Sequence, residues 1–312
     1  MEQKKKNIRL LISLGVLVLV SLGLLWGGGE TVSDIDPAIF RLDDSKSVDR
    51  VTLEKPEEKI TLNIVGGRWR VNDSWDADQN LIEVLFATVQ QSIPKRKVPN
   101  ALRDSLVSRI AQSGTKTIFY AGADKRKEFM VLGDPSSGLT YFMDPTEKVP
   151  YVMTIPGYRV LVAGIFEQES NAWRDKRIFN FNWRNFKSLE AIFPHDLPQG
   201  FSVAQANRYF SIAGEINTDT TILNNYLDAV SLIKAGQFYK KGESAKADSL
   251  TQTKPVMIIT VWDVAGQKYA LRLFAMNKGD VNALAQWGND LVWIDRRNIL
   301  HLYKKKKDFV KK

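Results

Sequence analysis

The side chains in this chain that could do chemistry are few, and most lack the partners that chemistry requires. There is no cysteine and there are only two histidines, His195 and His301. Thiolate chemistry, iron–sulfur centres and a multi-histidine metal site are therefore excluded. His195 follows Pro194 in an expected turn, and His301 falls in an expected final strand at 300–303. No Gly-x-Ser-x-Gly elbow is present, so a serine hydrolase would lack its nucleophile and its base. Trp262-Asp263-Val264-Ala265-Gly266-Gln267 has the form of the DxxG switch of small GTPases, and Asn277-Lys278-Gly279-Asp280 that of their guanine-specificity motif. Without a Gly-x-x-x-x-Gly-Lys-Ser/Thr loop, nothing would cradle the phosphates. The first motif reads instead as a hairpin turn with Val261 and Tyr269 on its two strands. A carboxylate pair for glycoside cleavage is a spatial relation that leaves no motif, and no pair stands out. No catalytic residue, metal ligand or cofactor site is expected.

Two further groups could make contacts without chemistry. Trp69, Trp75, Trp173 and Trp183 are candidate partner or ligand contacts, although tryptophan serves as often in a core or an interface. Lys304, Lys305, Lys306 and Lys307 form a basic run near the C-terminus, either a solvated tail or a contact for anionic headgroups. The net charge is +9. Most of it sits at the two ends, in Lys4, Lys5, Lys6 and Arg9 and in the six lysines after Tyr303. The body between is nearly neutral and has no basic stripe with interleaved aromatics, so neither nucleic acid nor nucleotide is an expected partner.

The elements that would position these residues begin with an anchor. Residues 10–26 (LLISLGVLVLVSLGLLW) carry no charge and no proline. At about 1.5 Å per residue they span roughly 26 Å, near the thickness of a bilayer core. The basic cluster precedes this run and Glu30, Asp34 and Asp36 follow it. The positive-inside rule then puts the N-terminus in the cytoplasm and the body on the far side, the periplasm of a bacterial inner membrane. A cleaved signal is the rival reading, but the apolar run is long and no alanine pair marks a cleavage site.

The body is 44% apolar and 25% charged across the chain, the balance of a folded protein. After a linker at 30–47, period-two alternation predicts strands around Val51 and Leu53, over 59–64, and around Trp69 and Val71, with a turn at Gly66-Gly67. Asp76 or Asp78 caps a helix whose face carries Leu81, Ile82, Leu85 and Val89, with Pro94 beyond its end. Leu102, Leu106 and Ile110 suggest a second helix, and strands are expected at 117–120, 129–132, 140–143 and 151–153. The same order then recurs. Val51 pairs with Leu189, Trp69 with Tyr209, Asp78 with Asp219, Leu81-Ile82 with Ile222-Leu223, Leu85 with Tyr226, Val89 with Val230 and Phe129 with Tyr269, at offsets near 140 residues. This predicts an internal duplication: α+β domains at 48–165 and 188–303, each an antiparallel sheet with helices. An aromatic-rich connector at 166–187 would join them and a basic tail at 304–312 would follow. The polar stretch 240–254 is expected to be a loop in place of the second helix of the first copy.

Val48-Asp49-Arg50-Val51-Thr52-Leu53-Glu54-Lys55-Pro56, then Gly67-Arg68-Trp69-Arg70-Val71 and the helix opening Asp76-Ala77-Asp78, resemble the uncharacterised bacterial DUF4340 family. The resemblance implies one N-terminal membrane helix and an exported body. It also implies an accessory role beside ABC-type transporters of the gliding-motility kind. It carries over no catalytic residue. The expected function is therefore a membrane-anchored periplasmic binding or adaptor protein of an envelope complex with a membrane-protein partner. The alternatives are an envelope glycan- or lipid-binding protein and, behind it, a two-carboxylate hydrolase.

Overall fold

The computed structural model describes residues 35–206, 209–215 and 217–311, together with Leu14, Gly15 and Leu17. Apart from those three residues, the expected anchor at 10–26 lies outside the described part. Among the described residues no helix is long and apolar enough to cross a membrane. The chain divides into two compact units between Arg174 and Asp175. Each is α+β, with an antiparallel sheet of nine strands in the first and eight in the second.

In the first domain β1 (Arg50–Glu54), β2 (Lys59–Val65) and β3 (Arg68–Val71) form a meander. Gly66 and Gly67 turn β2 into β3 with φ of +60° and +78°, two successive left-handed residues that only glycine takes without strain. A two-residue strand β4 (Trp75–Asp76) follows. Helix α1 (Gln79–Gln91) is capped by Asp78, whose carboxylate accepts the Asn80 N–H at 2.9 Å. Asp76, the other candidate cap, lies in β4 and faces Arg70 at 3.3 Å.

The helix buries Ile82, Leu85 and Val89 and carries the chain across one sheet face to the opposite edge. There β5 (Ile93–Lys97) pairs with β9 (Pro150–Thr154). Pro94 sits in this edge strand, where a missing N–H is tolerated. Helix α2 (Asn100–Ser113) returns across the other face, packing Leu106 and Ile110 on Leu132, Met143 and Val152. The remaining strands are β6 (Thr115–Ala121), β7 (Asp124–Asp134) and β8 (Leu139–Met143). The order across the sheet is β4-β3-β2-β1-β6-β7-β8-β9-β5.

The second domain runs through β10 (Phe186–Ile192), β11 (Phe201–Ala206), β12 (Tyr209–Ile212), α3 (Thr220–Ser231), β13 (Gln237–Tyr239), α4 (Ala245–Thr251), β14 (Met257–Asp263), β15 (Lys268–Leu273), β16 (Asn282–Trp287), β17 (Asp290–Asp295) and α5 (Arg296–Leu300). Its sheet order is β12-β11-β10-β14-β15-β16-β17-β13. Strand for strand this repeats the first sheet, with β4 missing. Asp219 caps α3 as Asp78 caps α1, accepting the Thr221 and Ile222 N–H groups.

The register corrects two of the sequence pairings. Leu62 faces Val71 and Ile64 faces Trp69, while Val203 faces Ile212 and Gln205 faces Phe210. Trp69 therefore corresponds to Phe210, not Tyr209. Phe129 faces Thr117 and Leu271 faces Ile259, so Phe129 corresponds to Leu271 and not to Tyr269. Matching aromatic to aromatic had slipped the first pair by one residue, to the other face of the sheet, and the second by two, along the same face.

Segments expected to lie outside the domains are built into them. Phe40 and Leu42, in the expected linker, are 3% and 4% exposed. Phe40 meets Phe129, Phe142 and Tyr151 edge-on at 5.5–5.8 Å. Phe166 and Trp173 of the expected connector belong to the first core, Ile178, Phe179 and Phe186 to the second.

The basic tail closes the second domain. Phe309 is fully buried against Phe201 and Tyr226. Its carbonyl accepts the Asp219 N–H at 2.7 Å, and Val310 bridges Thr218. The first domain ends in the same way, on one helical turn, Ser170–Trp173. The Trp173 carbonyl accepts the Asp78 N–H at 2.7 Å, and Arg174 bridges Ala77. The lysine run is thus the closing turn of the second repeat. His301 also departs from expectation. It follows α5 as an exposed C-cap, and the last strand ends at Asp295.

Candidate functional site

Of the four tryptophans singled out in the sequence, three lie in the first domain and Trp183 in the second. Trp69 is half-buried on β3 against Phe86, with ring centroids 5.7 Å apart, and Trp173 is fully buried in the first core. Both serve packing. Trp75 is 37% exposed, and the Arg174 guanidinium lies 4.3 Å over its ring. Trp183, in the second domain, is 50% exposed and rests on Phe210.

Of the four lysines, Lys305 pairs with Asp196 at 2.7 Å and Lys306 with Glu215 at 3.0 Å. Lys307 is exposed. His195 is exposed in the turn after β10. Among the described residues no group of three or more His, Asp or Glu side chains could hold a metal ion.

The GTPase look-alikes resolve into turn chemistry. Val261 and Tyr269 are direct partners across β14 and β15, and the Asp263 carboxylate accepts the Gln267 N–H to close the hairpin. In the other motif the Asp280 carboxylate accepts the Asn277 N–H at 2.8 Å. The Arg296 guanidinium donates to the carbonyls of Asn277, Lys278 and Asp280. The loop between β15 and β16 is held in shape by these bonds.

That loop forms one rim of a cavity of about 290 Å³ under α4. Its origin lies in helix length. In the first domain the fourteen-residue α2 covers its sheet face for about 21 Å, whereas α4, with seven residues, covers about half that. Contrary to expectation, the polar stretch at 240–254 is not all loop: Ala245–Thr251 form α4. Ser244 caps α4, Ala247 is buried, and the Tyr239 hydroxyl bonds to Asp248 at 2.8 Å and to the Ser244 carbonyl at 3.0 Å. Burial first, and then the Asp248 carboxylate, raise the Tyr239 phenol above its ordinary pKa.

The sheet supplies the floor. Gln237, Trp293 and Leu284 are direct cross-strand neighbours on β13, β17 and β16, so their side chains stand in one row on one face. Asn282, two residues before Leu284, shares that face. All four line the cavity. Trp293 meets Tyr239 edge-on at 5.8 Å, which fixes the indole. At the mouth Lys246 of α4 and Asp280 of the loop pair at 2.8 Å. The hydrogen bond from Lys246, and after it the Asn277 N–H, hold the Asp280 carboxyl below its usual range. The lining thus sets an indole, two leucines and smaller apolar side chains beside two side-chain amides and a self-neutralised ion pair.

A second cavity of about 380 Å³ is lined by Glu190, Phe201 and Lys306, among others. Each cavity has a single carboxylate on its wall, Asp280 or Glu190, so neither holds the facing pair that two-carboxylate hydrolysis needs.

Gln237, Asn282 and Trp293 carried no motif. Their one trace in the sequence is the shortness of the helical segment between Tyr239 and Met257 beside its counterpart in the first copy. No family model, curated protein or solved structure matches this chain.

Proposed function

We propose that this chain is a membrane-tethered binding and adaptor protein, with both domains on the periplasmic side of a bacterial inner membrane and a membrane-protein partner in an envelope complex. One observation supports the binding role above others. The same sheet is built twice, sealed by a long helix in the first domain and left open over a lined cavity in the second. Carboxylates that might have done chemistry hold caps and turns instead: Asp78, Asp219 and Asp295 at helix starts, Asp144 and Asp263 in turns. The tether rests on the apolar run at 10–26 and its basic flank. The adaptor role beside an ABC-type transporter is what the resemblance to the DUF4340 family implies. Exposed sheet edges at β12 and β5 suit a partner that adds a strand or packs alongside.

The test has two arms. A reporter fused after Lys312 should be active only in the periplasm, in an uncleaved chain that stays with the membrane. Purification in mild detergent at native expression should recover a membrane protein in stoichiometric amount. A cytosolic reporter signal, or recovery of the chain alone across several detergents, refutes the proposal.

A further inference from the structure

We infer that the cavity beneath α4 is a binding site for a neutral saccharide, one or two sugar units in size. The inference rests on the binding role of the second domain, but not on the tether or the envelope partner.

Size comes first. A cavity of about 290 Å³ is at the small end of ligand sites, too small for a lipid chain with its headgroup and sufficient for a sugar ring. Charge comes next. The charged lining groups are Lys246 and Asp280, and each is paired with the other. An anion or a cation would have to break that pair and leave one member without its partner, whereas a neutral ligand leaves it intact.

Hydrogen-bonding character narrows the class further. The Gln237 and Asn282 side chains both line the cavity, and each amide offers both donors and an acceptor. A sugar hydroxyl, which donates and accepts through one atom, fits two such amides better than a ligand that only donates or only accepts. The apolar part of the lining completes the match. The Trp293 indole is fixed by Tyr239 and flanked by Leu284, an apolar surface on which the C–H face of a pyranose is removed from water. Three of the four floor residues come from neighbouring strands in one row, so the site is formed before the ligand arrives and little ordering cost falls on binding.

The test uses the full chain in a detergent without a sugar headgroup. Calorimetric titration with glucose, galactose, N-acetylglucosamine and maltose would be set against glutamate, inorganic phosphate and choline. At least one neutral sugar should bind, with affinity unchanged by salt. Gln237→Ala and Asn282→Ala, both at exposed positions, should each weaken it about five- to tenfold. Trp293→Ala should abolish it; should that variant unfold, the two amide variants still decide the matter. Binding of charged compounds alone would keep the binding role and overturn the saccharide assignment. Sugar affinity unmoved in the Gln237→Ala/Asn282→Ala double variant, or no sugar bound up to about 10 mM, would also overturn it.

Discussion

Removing Phe309 should unfold the second domain more effectively than removing the charge around it. The ring is fully buried, with its centroid 4.8 Å from that of Phe201 and 5.3 Å from that of Tyr226. Phe309→Ala therefore deletes a core aromatic, a loss of about 3–5 kcal/mol. Truncation after Tyr303 would additionally remove the bonds from the Asp219 N–H to the Phe309 carbonyl and from the Lys311 N–H to the Asn217 carbonyl, at about 1 kcal/mol each. Neutralising Lys304, Lys305, Lys306 and Lys307 to glutamine leaves the ring in place. It removes two partly exposed ion pairs, to Asp196 and Glu215, for about 1 kcal/mol or less in all. A domain of this size has a total stability of about 5–15 kcal/mol, so the first change consumes a large share and the last does not. Because two units are present, a single melting curve would blend them. Hydrogen exchange read by mass spectrometry on β10, β11 and α3 isolates the second. Phe309→Ala should raise exchange there by about two to four orders of magnitude while β1 and α1 stay unchanged. If the lysine variant loosens β10 and α3 more than Phe309→Ala does, the segment is a charged tail and the packing argument is wrong.

Other perturbations test separate parts of the fold. The Tyr226 hydroxyl is buried with no hydrogen-bond partner among the described residues, and burial pushes its phenol above the ordinary pKa; the first domain has Leu85 at the corresponding position. Tyr226→Phe should thus leave stability unchanged or raise it by about 1 kcal/mol, and a clear loss in denaturant unfolding would reveal a partner for that hydroxyl. A Cβ added at Gly114 would clash with the Ile110 carbonyl oxygen, so Gly114→Ala must move the end of α2 and should cost about 1–3 kcal/mol; hydrogen exchange in the first domain equal to the parent's would contradict this. Burial works to raise the Glu128 pKa, but hydrogen bonds from Lys125 and Lys116 outweigh it and the net shift is downward. Its contribution is complete above the ordinary glutamate pKa of about 4.3 and is lost as pH falls through the lower folded value. Glu128→Gln should flatten that acid limb in the first domain, and an unchanged pH profile would remove the carboxylate from the account.

What could be read directly from the sequence is whatever local physics controls. Alternation in Lys59-Ile60-Thr61-Leu62-Asn63-Ile64 marks β2, because strand side chains must alternate faces. Gly66-Gly67 marks the turn, because only glycine takes two left-handed residues in succession at no cost. Asp78 and Asp219 mark helix starts, since a short carboxylate satisfies N–H groups a residue or two onward. The recurrence of these signals at a nearly constant offset exposed the repeat, and the shared strand order repeats it in three dimensions.

Tertiary packing determined the rest. A lone aromatic in a polar stretch, such as Phe40 or Phe309, carries no period, and only the hole it fills distinguishes a plug from a tail. The slips at Tyr209, by one residue, and at Tyr269, by two, have the same cause: chemical likeness is a property of the residue, whereas the place it occupies on the sheet belongs to the register with the neighbouring strand. The cavity is the furthest from local control. Gln237, Leu284 and Trp293 lie 47 and 9 residues apart and meet because three strands pair in one register beneath a helix that is seven residues long and not fourteen.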